Sequence, residues 1–130
     1  MGLDMYLKAK LYTSKYQNKK MNDKLRECVG EIYSVRNSDT IEISFECGYW
    51  RKAYQIHHWF AENVQEGKDD CETYDVSREQ LQELIDFCKN TLTEEISDDD
   101  YKGDLIRTIE ILMNALSLSK EWEFTYRASW

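Results

Sequence analysis

The chain opens on a strict alternation of apolar and polar positions. Leu3, Met5, Leu7, Ala9 and Leu11 fall on one side, and Asp4, Tyr6, Lys8, Lys10 and Tyr12 on the other. A period of two over ten residues predicts a half-buried strand over 3–12. Ile41, Ile43, Phe45 and Cys47 alternate with Glu42, Ser44 and Glu46, which predicts a strand over 39–47. Trp122, Phe124 and Tyr126 alternate with Glu121, Glu123, Thr125 and Arg127, which predicts a third over 121–127. Between the first two lies a polar, lysine-rich run from Thr13 to Lys24, a loop or a weak helix start. After it, Leu25, Val29 and Ile32 suit a helix that Gly30 weakens, while Ile32, Tyr33 and Val35 equally suit a strand. Arg36-Asn37-Ser38-Asp39 is turn chemistry, compatible with a hairpin across Asn37-Ser38.

Helical spacing dominates the rest. Gly48 reads as the end of the second strand, and a helix is expected over 50–65. On a helical wheel Arg51, Gln55, His58, Glu62 and Gln65 share a polar arc. Trp50, Ala53, Tyr54, Ala61 and Val64 surround His57, with Ile56, Trp59 and Phe60 adjoining them. So wide an apolar arc marks either a central helix or a surface that meets a ligand or partner. Gly67 stops the segment, and Tyr74 to Val76 reads as a short extended piece. Ser77-Arg78-Glu79-Gln80 has the form of a capping box. It opens a helix over 78–92 carrying Leu81, Leu84, Ile85, Cys88 and Leu92. A third helix, over 103–118, carries Leu105, Ile106, Ile109, Leu112, Met113 and Leu116. Strands and helices do not alternate strictly. The expected fold is therefore α+β, a small antiparallel sheet packed with about three helices in a single domain spanning 1–130, with the first and last strands paired or neighbouring.

Charge changes this picture. Acidic residues outnumber basic ones 25 to 17, for a net charge of −8, which opposes binding to a phosphate backbone. The imbalance is local. Residues 1–61 hold ten basic and seven acidic groups (+3), residues 62–104 four and fifteen (−11), and residues 105–130 three of each. The bland account is a solvated helix face plus a loop. The functional one is an acidic surface that enters a basic groove on another protein, carried by Glu62, Glu66, Asp69, Asp70, Glu72, Asp75, Glu94, Glu95, Asp98, Asp99 and Asp100.

Strong catalytic motifs are missing from the sequence, and no catalytic residue is assigned. There is no phosphate loop, dinucleotide fingerprint or serine elbow. Asp98-Asp99-Asp100 lacks the EF-hand pattern. His57 and His58 point about 100° apart on a helix, and His58 with Glu62 is more commonly a surface pair than half a metal site. No metal and no cofactor are expected. Cys28, Cys47, Cys71 and Cys88 form no C-x-x-C pair, and no basic-then-apolar leader or long apolar span is present, so reduced thiols and no membrane are expected. The most pointed constellation is Gly48-Tyr49-Trp50-Arg51-Lys52-Ala53-Tyr54. Arg51 and Lys52 at a helix start could hold an anion, and an aromatic face could stack a base. Tyr49, Trp50, Arg51, Lys52, His57 and Trp59 are the candidate ligand-binding residues. Their competing account is as core anchors.

Several segments, in order along nearly the whole chain, resemble a family of small proteins from bacteriophages and prophages. They are Met1-Gly2-Leu3-Asp4-Met5-Tyr6-Leu7, Gly48-Tyr49-Trp50-Arg51-Lys52-Ala53 with Ile56-His57 and Trp59-Phe60, Asp69-Asp70-Cys71, Val76-Ser77, and Tyr126 with Ser129-Trp130. There are two departures. The acidic run Thr93 to Lys102 stands where the family usually carries an aromatic, glycine-rich segment, and Tyr54 stands where it tends to carry Asn. The resemblance implies a phage setting and the cytoplasm of a bacterial host, and by itself assigns no activity. Together with the acidic middle third, it leads to the expectation of a phage-encoded, non-enzymatic binding protein. Such a protein would inhibit a host factor, a nucleic-acid-handling defence enzyme such as a CRISPR effector, in an anti-CRISPR-like manner. Two alternatives stand beside it: a nucleotide or small-molecule binder or enzyme using Trp50, Arg51, Lys52 and His57, and a virion-associated structural protein.

Overall fold

The computed structural model describes residues 2–36 and 40–130. In chain order the elements are β1 (Asp4–Thr13), α1 (Lys19–Gly30), β2 (Ile41–Arg51), α2 (Tyr54–Asn63), β3 (Tyr74–Val76), α3 (Arg78–Thr91), α4 (Asp99–Leu116) and β4 (Glu123–Ser129). The strands form one antiparallel sheet in the order β2-β1-β4-β3. The architecture is α+β, and the first and last strands pair along their length, Asp4 opposite Ser129 and Lys10 opposite Glu123. One face of the sheet is covered by helices and one is open. Leu3, Met5, Leu7, Ala9 and Leu11 are all buried, as are Phe124, Tyr126 and Ala128 of β4. They pack against Ile56 and Phe60 of α2, Leu81, Leu84 and Cys88 of α3, and Leu105 and Leu112 of α4. Period-two burial on β1 and period-3.6 burial on the helices thus meet in one two-layer core.

The main departure from the sequence pattern lies in β2. The strand does not stop at Gly48 but continues to Arg51. Opposite β1, Leu7 faces Gly48 while Lys8 faces Glu46, so Cys47 is an extra, bulged residue. A bulge shifts the pleat by one residue and reverses which parity faces inward. Before it, Ile43 and Phe45 share the helix side with Leu11 and Ala9, their partners; after it, Gly48 and Trp50 share that side with Leu7 and Met5. Alternation read in a single register breaks at this point, so the strand looked finished and Trp50 looked helical. Instead Trp50 is fully buried and donates its indole N–H to Thr108 Oγ1 of α4 at 2.9 Å. Helix α2 begins at Tyr54 and ends at Asn63. The amides of Val64 and Gln65 both bond to the Phe60 carbonyl, and the chain turns inward. Gln65, assigned to the polar arc, is consequently buried, and Tyr54, assigned to the apolar side, is 60% exposed.

Gly48 is also a contact requirement. A Cβ there would lie 2.6 Å from Ile111 Cγ2 on α4 and 3.3 Å from Leu7 Cβ, so the absence of a side chain lets α4 lie against β2. Ahead of β2, the ambiguous segment resolves as helix. α1 runs to Gly30, and Ile32 and Tyr33 follow it as exposed residues outside any strand. β2 takes β1 as its partner instead of a strand at 32–35. The Asn37-Ser38 turn lies outside the described residues. α1 is anchored by polar groups: buried Asn22 donates to Thr13 Oγ1 and accepts from Arg26 Nε, and Thr13 Oγ1 donates to the Ile41 carbonyl. The capping box of α3 is present, Gln80 N donating to Ser77 Oγ and Ser77 N to Gln80 Oε1. The fourth strand, β3, coincides with the short extended piece at Tyr74 to Val76.

Gly48→Ala should cost about 1–3 kcal/mol, the usual range for overpacking a filled site. Gly30→Ala, which meets nothing within 4 Å, should be neutral or stabilising by up to about 1 kcal/mol. Urea unfolding of the two variants beside wild type checks the contrast.

Candidate functional site

His57 sits at the centre of a group of hydrogen-bonded side chains. It is buried on α2, between β4 and the loop that follows α2. Its Nε2 lies 2.8 Å from Asp69 Oδ1 and its Nδ1 2.7 Å from the Tyr126 hydroxyl. Trp130 Nε1 donates to the same Asp69 oxygen at 2.9 Å. Partial burial alone would raise the Asp69 pKa, but the hydrogen bonds from His57 and Trp130 outweigh it and hold the carboxyl below its ordinary value. An ionised carboxylate only accepts, so Nε2 carries a proton and donates to it, while Nδ1 and the Tyr126 hydroxyl share the second hydrogen bond. Tyr126 has no exposed surface, and burial, with Asp69 adding, pushes its phenol far above the ordinary range. The chain Tyr126–His57–Asp69 has the order of a proton relay, yet its phenol end cannot reach a substrate. It pins the loop and the last residue of the chain onto α2 and β4. Phe60 stacks on Tyr126 at 3.8 Å and meets Trp50 edge-on at 5.9 Å, so this clamp adjoins the aromatic core.

The junction proposed from sequence is split across the sheet. Trp50 and His57 are buried. Tyr49 and Arg51 lie on the open face, opposite Tyr6 and Asp4, and the Tyr49 hydroxyl donates to Asp4 Oδ1. Lys52 is exposed and holds a left-handed backbone conformation, φ 56°, with its amide bonded to the Leu3 carbonyl. Trp59 is nearly buried but lines a groove between α2 and α3 with Tyr54, Gln55, His58, Glu62, Asn63 and Phe87. Since Trp50 projects to the helix side and Arg51 to the other, no single pocket unites Trp50, Arg51, Lys52 and His57.

All eleven acidic candidates are exposed, but several do local work. Asp98 caps α4 by accepting from the amides of Asp100 and Tyr101, with Asp99 and Asp100 in its first turn, where carboxylates favour the helix dipole. Asp70 accepts from the Tyr74 hydroxyl and the Glu72 amide. The residues fall into two groups, 62–75 before α3 and 94–100 after it. Gln80 Nε2 donates to the Asn63 carbonyl, so the first group stays at the start of α3. Fourteen residues of helix separate the groups by about 21 Å. What joins them is a line that the sequence reading passed over: Glu79, Glu83 and Asp86, all exposed, at spacings of four and three on one side of α3. The capping box had already placed the helix, so this spacing was available as a signal. Among the described residues no group of three His, Cys, Asp or Glu comes together to hold a metal. No helix among them is long and apolar enough to cross a membrane. All four cysteines are free thiols, with Cys88 buried and its pKa pushed up to about 12 by burial.

Comparison with family models, with curated proteins and with solved structures found no match to this chain.

A depressed native pKa adds stability that is fully present above the ordinary carboxylate value of 3.8 and is lost as pH falls through the depressed one. Asp69→Asn should therefore lower the urea midpoint most at neutral pH. The gap to wild type should close as pH is taken down through that value. A gap that stays constant with pH would show that the carboxylate charge is not what the clamp uses.

Proposed function

We propose that this chain is a non-enzymatic binding protein that inhibits a partner by presenting an acidic helix surface to the partner's basic, nucleic-acid-binding groove. The observation that carries this reading is the line Glu79, Glu83 and Asp86 along α3, which bridges the acidic segments at its two ends. Residues three and four apart on a helix have their Cβ atoms about 5–6 Å from one another, so the line is a row of anions on a rigid rod. Such a row meets lysines and arginines that would otherwise hold phosphates. Beside it, Phe87 and Tyr54 keep 37% and 60% of their surface exposed over the Trp59 groove. Large aromatics next to a charged rim supply the anchors from which interfaces draw most of their energy. The buried phenol of the Tyr126–His57–Asp69 chain supports a non-enzymatic role. The resemblance to phage proteins supports a phage origin and, only together with the acidic surface, an anti-CRISPR-like role against a host defence enzyme that handles nucleic acid.

The test is competition. Partner recovered from host lysate on immobilised wild-type protein should lose its nucleic acid as the protein is added, and should bind more weakly as salt rises. A variant combining Glu79→Lys, Glu83→Lys and Asp86→Lys should bind at least about tenfold more weakly while keeping its fold, since all three side chains are exposed. Equal recovery of the same partner by both proteins would overturn the electrostatic reading. Recovery of no partner would count against the whole of it.

A further inference from the structure

The open face of the sheet holds a cup that neither the clamp nor the acidic helix uses. It encloses about 340 Å³ and is lined by Tyr6, Lys8, Glu46, Thr73, Thr125, Arg127 and Ser129, at the small end of the range for ligand pockets. Its shape follows from the register. Tyr6 stands opposite Arg127, and Lys8 stands opposite both Glu46 and Thr125. Thr125, Arg127 and Ser129 share this face of β4, and Tyr6, Lys8 and Glu46 line the same space from β1 and β2. The bulge at Cys47 lets Glu46 face outward while Gly48 and Trp50, of the same parity, face inward.

We propose that this cup binds a small phosphate monoester, a sugar phosphate or a mononucleotide. Two cations, Lys8 and Arg127, line a space in which Glu46 is the one carboxylate. Arg127 is oriented: its Nε donates to the Cys71 carbonyl at 3.3 Å, which leaves its two terminal nitrogens to meet an oxyanion end-on. Hydroxyls of Tyr6, Thr73, Thr125 and Ser129 line the same space. A phosphate presents three acceptor oxygens, which matches several hydroxyl donors between two cations better than the two oxygens of a carboxylate. Glu46 then accepts from a hydroxyl or amino group on the rest of the ligand, so a bare phosphate is a poorer fit than an ester. Asp75, opposite Thr125 at the rim, and the overall charge of −8 oppose a polyanion, which separates this ligand class from a nucleic-acid strand.

The test is a titration of backbone amides, followed by ¹⁵N–¹H spectra, with inorganic phosphate, ribose 5-phosphate, adenosine 5′-monophosphate and, as the uncharged control, ribose. Ribose 5-phosphate or adenosine 5′-monophosphate should give saturable shifts at residues 6–8 and 125–129; whichever binds more tightly identifies the sugar-phosphate or nucleotide form. Inorganic phosphate should shift the same residues more weakly, and ribose should shift none. Lys8→Gln and Arg127→Gln should each weaken binding by about tenfold or more, with the dispersion of the spectrum reporting that the fold is kept. The proposal is overturned by any of three results: no saturable shift with either ester, shifts confined to another face, or unchanged affinity in either variant. Equal affinity for inorganic phosphate and both esters would overturn the assignment to a monoester.

Discussion

The structure turns on one extra residue. Cys47 bulges out of the pairing between β1 and β2, and much of the arrangement depends on it. Ahead of the bulge the odd positions of β2 face the helices; beyond it the even ones do. Without that reversal Trp50 would lie on the open face, and its bond to Thr108 and its edge contact with Phe60 could not form. Gly48, next to the bulge, lacks the side chain that would collide with Ile111, so α4 can close over the strand there. One backbone irregularity therefore sets the depth of the aromatic core and the approach of the longest helix.

The two faces of the sheet have separate chemistry as a result. On the helix side, the polar tips of two core aromatics are paired: the Trp50 indole with Thr108, and the Tyr126 phenol with His57. Burying such groups unpaired would cost about 1–3 kcal/mol each, so these bonds select one packing arrangement over others of similar apolar content. His57 extends the logic to the surface by reaching Asp69, which also receives the C-terminal Trp130. On the open side the cross-strand partners are mixed in sign, Lys8 with Glu46 and Lys10 with Glu123. The surplus negative charge is collected along α3 and at its two ends. The molecule thus carries its acidity on the helix layer and its near-balanced polar surface on the sheet, and the two invite different kinds of partner.

Much of this was legible in the amino-acid order. Leu3 to Leu11 alternates because one face of β1 is buried along its whole length, and Ser77 with Gln80 marks a helix start because both side chains are needed to satisfy orphan amides. These signals are local, and they fixed three strands, the α+β class, the pairing of the terminal strands and the start of α3. The sequence left His57 open between a ligand-binding residue and a core anchor, and the fold buries it. The acidic candidates were found one by one, but grouping them by position along the chain missed Glu79, Glu83 and Asp86, whose shared face appears only when the helix is wound.

Other features needed the fold. Cys47 and Gly48 carry no mark that distinguishes a bulge from a strand end, because what decides between them is the register against a strand some forty residues away. The burial of Gln65 follows from α2 ending two residues before it, which the local apolar pattern does not require. Trp130 reaches Asp69, and through it His57, only because β4 returns beside β1 and brings the last residue to the loop after α2. Short-range periodicity, set by backbone geometry, is written in the sequence. Which residues become neighbours across the sheet is decided by non-local packing, where burial of apolar area outweighs local preference. The aromatic junction near Trp50 shows the difference: the sequence placed its residues side by side, and the pleat of β2 sent them to opposite faces.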